Sequence, residues 1–319
     1  PVSYTWEQIP SGALGSGSLA VGSGNVIISG LPDGGNIRLI LKYNNLKRFW
    51  IANAANQDYL EQIENWGKSQ WTSMLKAFLD CENLEITATD IPDLSALTSL
   101  QQMFEGCSSL DSIPKAYLWN TGTVNNMHSL FKDNSVFNGN ISTWNTGNVT
   151  SMFKMFNGAT SFNQNIGNWN TGNVFSMFSM FNGASSFNQN LNSWNTGNVN
   201  NMYYMFNDAT VFNGNISNWN TSKVIVTKAM FRNAPTFNQN ISFWNTSLVT
   251  DMSDMFSSAI SFNQNIGAWN TGNVNTMADM FFGAIAFNGN IGTWNTENVT
   301  NMNSMFQGAT AFNQNIGSW

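Results

Sequence analysis

The sequence predicts an α/β solenoid of stacked coils, with a parallel β-sheet on one side, short helices on the other and a small β segment at the N-terminus. Three observations carry this. Trp144, Trp169, Trp194, Trp219, Trp244, Trp269, Trp294 and Trp319 follow one another at steps of 25 residues. Phe137 through Phe312 keep the same step without an insertion. Between these columns, Met-rich and Asn-rich stretches recur in fixed order. A fixed period of this length belongs to an array in which each copy buries its apolar face against the next.

Along the chain, residues 1–56 differ from the rest: Gly and Ser cluster at 11–18 and 22–24, and runs at 25–29, 37–43 and 49–52 are strand-like, separated by turns at 32–35 and 44–45. So short a segment buries little by itself and is expected to cover the first coil. Residues 57–128 form irregular first coils, opening with an apolar pattern at 58–80 that predicts a helix. Residues 129–319 are the regular copies. Within one of these, Val149, Met152, Met155 and Phe156 have helical spacing, predicting a short helix over 148–156. Asp133, Gly158, Gly183, Asp208, Asn233, Gly283 and Gly308 follow at a position that suits a left-handed backbone, with Ser258 the exception. Small Ala159 and its equivalents let coils touch. Phe162 and Ile166 alternate with Asn163 and Asn165, predicting the strand, its amides bonding in columns from coil to coil. Asn170-Thr171-Gly172 makes the turn into the next copy.

Composition narrows the function. Only 9% of residues are Asp, Glu, Lys or Arg, and the net charge is −6, so the basic footprint of a nucleic-acid binder is missing. No run of eighteen apolar residues occurs, which argues against direct membrane insertion. Cys81 and Cys107 lie 26 residues apart, close to one period; they fit small core residues of adjacent coils, with a disulfide as the alternative. The chain opens without a basic and apolar leader.

The string Trp-Asn-Thr-Gly-Asn-Val-Thr-x-Met-x-x-Met-Phe-x-Gly-Ala-x-x-Phe-Asn-Gln-Asn-Ile resembles the BspA-type leucine-rich repeats of bacterial surface proteins, over about Ile63 to Trp319. The resemblance implies a leucine-rich-repeat-like horseshoe, secretion or surface display, and binding to proteins or cell surfaces. The chain departs from that family in carrying Asn at 165 and 170, where Asp is common, which removes the carboxylates that a calcium ladder needs.

No catalytic constellation is apparent. His128 is the sole histidine and no motif places a nucleophile beside it. Asp251, Asp254 and Asp279 share a neighbourhood by register, but a solvated face explains them better than a metal site, and the Met columns are spaced as core rather than as a cofactor box. The expectation is therefore a non-enzymatic protein without cofactor or metal. Its partners are a protein or glycan ligand on another surface, or copies of itself. The candidate ligand surface is a copy-to-copy variable column reading His128, Phe153, Phe178, Tyr203, Lys228, Ser253, with Phe175 and Tyr204 close by. These rings either form an exposed stripe or pack on one another. The rival reading is a structural subunit of a filament, sheath or coat, joined end to end through Asn313, Asn315, Ile316 and Trp319. Ice or polysaccharide binding by the Asn and Thr columns, including Thr171, ranks third.

Overall fold

The computed structural model describes residues 2–19, 36–42, 46–50, 57 and 59–319. The expected strand at 25–29, the turns at 32–35 and 44–45, and residues 51 and 52 of the expected strand 49–52 lie outside the described residues. Phe49 and Trp50 belong to no strand, although Arg48 beside them bridges in parallel to Ser73.

Three strands form an antiparallel sheet in the order β2-β1-β3: β1 Val2–Ile9, β2 Leu14–Leu19 and β3 Asn36–Lys42. The third matches the expected 37–43 run. The second runs through the Gly/Ser cluster at 11–18. Its glycines serve as floor for aromatic rings: Trp6 pairs with Gly15 and Tyr4 with Gly17, and a Cβ at either glycine would run into the ring at 2.3–2.5 Å. The sheet meets the first coil through Arg38, which holds Glu7 and Glu64 at 3.0 Å each, and through Asn36, whose Nδ2 donates to Glu61 at 2.8 Å.

Beyond the sheet, each copy lies against the next. A parallel pairing, β4 Gln62–Ile63 with β5 Glu85–Ile86, starts the array where sequence periodicity predicts a helix. Single parallel bridges then link Ser99, Asn126, Ser151, Ser176, Asn201, Val226, Asp251, Thr276 and Asn301 in succession.

The backbone around this bridge column follows an alternating rule. The N–H groups of Met152, Lys154, Phe156 and Gly158 donate to the carbonyls of Ser176, Phe178, Met180 and Asn182 in the next coil, at 2.7–3.3 Å. The intervening Met155, Asn157 and Ala159 donate three residues back, to Met152, Lys154 and Phe156. Two left-handed residues per copy make this possible: Lys154 (φ 55°) and Gly158 (φ 73°), then Ser179 and Gly183, Tyr204 and Asp208, Ala229 and Asn233, and onwards. An α-helix requires consecutive right-handed residues. Consequently the helices expected over 148–156, in its equivalents and over 58–80 do not form. Among the described residues there is no α-helix, and a single-turn 3-10 helix lies at Ala116–Leu118. The spacing of Val149, Met152 and Met155 reflects three-residue turns, which bring these side chains inward much as a helix would. The position of Gly158 is left-handed in every regular copy, including Ser258 at φ 58°.

Phe162–Ile166 is the second correction. Phe162 and Ile166 point inward and are buried, yet the segment is not a strand. Side-chain bonds stand in for a strand ladder here: Asn163 N–H donates to Asn138 Oδ1 at 3.0 Å, and Gln164 Nε2 donates to both oxygens of Asn138, while Phe162 N–H bonds back to Ala159 carbonyl. Each amide of this column thus bonds mainly the backbone of its neighbour. Asn165 instead turns its Oδ1 to Gly167 N–H within its own coil.

One continuous core runs from Trp66 to Met305. It is built of aromatic columns. In one coil Phe156 lies 3.9 Å from Phe162, ring centre to ring centre, and Phe156 follows Phe131 and precedes Phe181 at 5.8 and 5.6 Å. Trp169 is stacked on Trp144 with planes 2° apart, and its Nε1 donates back to Ile141 carbonyl at 3.2 Å. The same indole bond recurs from Trp144 to Trp319, so each tryptophan both fills its layer and ties it to the one before. Thr171 is buried and its hydroxyl donates to Asn195 carbonyl at 3.0 Å, so the Thr column is interior rather than a surface row. Cys81 and Cys107 are buried and form no disulfide, Cys107 Sγ lying 3.0 Å from Phe78 carbonyl oxygen.

One core position breaks the pattern. Asn134 occupies the column filled by Ala159, Ala184 and Ala209, is fully buried, and has neither its Nδ2 nor its Oδ1 paired. Unpaired buried amides cost free energy that an apolar replacement recovers. Asn134→Ala is therefore expected to stabilise the array by about 1–3 kcal/mol, read as a higher urea midpoint in equilibrium unfolding; an unchanged or lower midpoint would contradict this account of the site.

Candidate functional site

The alternating backbone places residues 153, 178 and 203 side by side on the surface next to the bridge column. His128 meets Phe153 at 4.6 Å; Phe153 is stacked on Phe178 at 4.6 Å with planes 5° apart; Phe178 meets Tyr203 edge-on at 5.1 Å; and Tyr203 is stacked on Tyr204 at 4.1 Å. The sequence leaves open whether these rings are exposed or packed on one another. Both hold: the residues are half-buried, with ring faces covered by neighbouring rings. Lys154 adds a cation 5.3 Å from the Phe153 ring and 5.7 Å from that of Phe178. The column then turns polar at Lys228 and Ser253, so the aromatic ladder is confined to four coils.

Phe175 does not join it. Its side chain is 49% exposed in a different column, which continues to Ile225, 45% exposed. Tyr204, at the far end of the ladder, borders a groove of about 280 Å³ lined also by Asn182, Asn207, Asp208, Arg232 and Asn233. Asn207 donates to Asn182 and Asp208, and Asn233 donates to Asp208.

Electrostatics at the ladder are mild. Burial lowers the His128 pKa below its usual value, favouring the neutral imidazole. Burial raises that of Asp254, with Arg232 Nη1 3.8 Å away. Asp251 accepts from Ser253 N–H and Oγ in its own turn. Among the described residues no group of three His, Cys, Asp or Glu is placed to hold a metal ion.

The residues Asn313, Asn315, Ile316 and Trp319 continue the columns of earlier copies. Asn313 N–H donates to Asn288 Oδ1, Asn315 Oδ1 accepts from Gly317 N–H, Ile316 packs on the core, and Trp319 is stacked on Trp294 at 6.2 Å.

Two residues that the sequence reading passes over stand out on another flank. Phe243 is 86% exposed in a column otherwise occupied by Thr143, Asn168, Ser193, Asn218, Ala268, Thr293 and Ser318. Asn192 occupies a column of Gly and Ser. The signal that finds them is the same that finds the ladder, departure from the copy average, applied to the Asn-rich side of the coil.

The fold defines a repeat protein that is mostly non-helical, with few strands among the described residues. The chain belongs to the family described as Mycoplasma protein of unknown function, DUF285, which matches residues 45–140, 72–182, 98–218, 125–243 and 228–319. No curated protein and no solved structure matches the chain.

Tyr203 provides a spectroscopic check on the ladder. Burial, the neighbouring Tyr204 hydroxyl and the charges of Asp251 and Asp254 push its pKa up to about 12. A tyrosine whose folded pKa exceeds its unfolded value contributes stability below pH 10 that is lost as pH rises through about 12. Tyr203→Phe is therefore expected to flatten the fall in stability between pH 10 and 12 and to remove a late tyrosinate absorbance step; a normal titration near pH 10 in the parent chain would refute the packing.

Proposed function

We propose that this chain is a non-enzymatic recognition protein displayed at a cell surface or secreted, a leucine-rich-repeat-like solenoid that binds a partner protein through the aromatic ladder Phe153, Phe178, Tyr203 and Tyr204. The observation that carries the reading is the ladder itself: half-exposed rings in unbroken contact over adjacent coils, where the later copies bear Lys228, Ser253, Ala278 and Asn303. Nothing in the array requires aromatic residues at that column. Interfaces concentrate their binding energy in such clustered aromatics, with cationic residues alongside. Because Phe153 and Phe178 cover each other's faces, they offer ring edges to a partner. An edge-lined strip suits an apolar protein surface better than the flat face of a sugar ring. The BspA-type resemblance of the repeat supports surface display.

The test is binding of fluorescent protein to intact cultured cells, before and after protease shaving of those cells. Saturable binding that disappears on shaving is expected. Replacing Phe153, Phe178 and Tyr203 by Ser should weaken it by about tenfold or more, with an unchanged elution volume and near-ultraviolet spectrum verifying the fold. Lys154→Glu, which reverses the charge over the rings, should weaken it as well. Full binding by folded variants would refute the ladder as the contact surface.

A further inference from the structure

A second surface lies on the Asn-rich flank, away from the ladder. Asn165, Asn168, Asn190, Asn192, Ser193 and Asn218 line a groove of about 440 Å³ that crosses three successive coils, with no ionisable residue in its lining. The fold occupies part of each amide. Asn165 Oδ1 accepts from Gly167 N–H, Asn190 Oδ1 from Asn192 N–H, and Asn192 Oδ1 from Asn218 N–H at 2.7 Å and Ser217 Oγ at 3.4 Å. These bonds use the oxygens, and among the described residues the Nδ2 donors of Asn165, Asn190 and Asn192 have no acceptor. Side-chain amides carry two donors and an acceptor each, so the groove is an array of neutral hydrogen-bonding groups already fixed in position by the backbone.

Phe243 is the next residue after Asn218 in the column that borders this groove, on the coil joined to it by the Asn201 and Val226 bridge. A single exposed apolar side chain is ordinary. This one differs because the other copies accept Ser, Thr, Asn or Ala there, so the packing does not need a ring, and because no other aromatic ring lies on it among the described residues. Both faces of the ring are thus available, unlike those of Phe153 and Phe178. A free aromatic face next to converging neutral amides is complementary to one chemical class: a sugar ring, whose C–H face lies on the electron-rich ring while its hydroxyl rim bonds the amides.

We propose that the groove and Phe243 together bind an uncharged oligosaccharide, with a sugar ring on Phe243 and its neighbours along Asn218 and Asn192. The site is independent of the ladder and lies on a different flank.

The experiment passes the full chain over immobilised neutral oligosaccharides, six-residue chains of glucose, mannose, galactose and N-acetylglucosamine, beside sialylated and sulfated glycans. Retention on at least one neutral chain is expected. It should fall about tenfold or more in Phe243→Ser and in Asn192→Gly, two changes that install residues other copies already carry, and should persist when Phe153, Phe178 and Tyr203 are replaced by Ser. Retention unaffected by both groove variants would overturn the site. Loss on replacing the ladder would place the ligand on the other flank and overturn it equally. Retention only on anionic glycans, or on none, would overturn the assigned ligand class.

Discussion

Everything in the array depends on how its backbone N–H groups are divided. In each copy, alternate amides near the bridge column bind the next coil and the rest bind back into their own turn. A β-sheet would commit all of them outward or sideways, and an α-helix all of them inward. The mixed scheme satisfies the chain while joining neighbouring coils at every second residue. It requires left-handed residues at the positions of Lys154 and Gly158, which cost a non-glycine residue roughly 1–2 kcal/mol each in isolation. The inter-coil bonds and the aromatic columns offset that cost, because a coil that untwisted at either position would lose both. The tryptophan indoles reinforce the same direction, each reaching back to a carbonyl one coil earlier.

That division also decides which positions are free to vary. The columns of Phe156, Phe162, Trp169 and Thr171 are buried, and an exchange at any of them is felt by the coil above and the coil below. Asn163 looks like a surface residue but acts as part of the backbone scheme, since its oxygen holds the next coil's N–H. The column through Phe153 bears no such duty, and in the column through Phe243 the hydroxyls of Ser193, Thr293 and Ser318 bond a carbonyl of the preceding coil, a bond that the side chains of Phe243 and Ala268 cannot make. The residue types of both columns change from copy to copy without disturbing the register, so selection for binding can act there at little cost to folding.

The core was legible from the sequence because periodicity reports burial regardless of which secondary structure produces it. The Trp, Phe, Met and Ala columns are inward, and the left-handed position at Gly158 was visible in its Gly, Asp and Asn content. The helix was not legible as absent. A chain of turns with three-residue bonds repeats its inward side chains at nearly helical spacing, and the second left-handed site holds Lys154, Ser179, Tyr204 and Ala229 before Asp254 and Asp279, so most of its residue types give no warning of positive φ. Alternation at Phe162–Ile166 mimicked a strand for a related reason: two inward residues flank outward amides, but those amides replace the pairing partner. At the ladder the register brought Phe153, Phe178, Tyr203 and Tyr204 into one neighbourhood and left open whether they are exposed or packed; their ring geometry, and the separation of Phe175 from them, is a property of stacking between copies that no single copy records.

Ring geometry is what separates the two surfaces chemically. Phe153 and Phe178 are parallel at 4.6 Å, so their electron-rich faces are spent on each other and solvent sees hydrogen-lined edges with Lys154 alongside. Phe243 stands alone with its faces open beside uncharged amides. The same amino acid therefore presents opposite ends of its quadrupole on two flanks of one stack. An edge strip gains from broad apolar burial, which a protein partner supplies, whereas an open face gains from weakly polar C–H groups whose surrounding hydroxyls need donors nearby. In the two proposals, apolar and amide-rich recognition are thus separated by which column carries the aromatic exception, while the coils beneath both flanks remain the same.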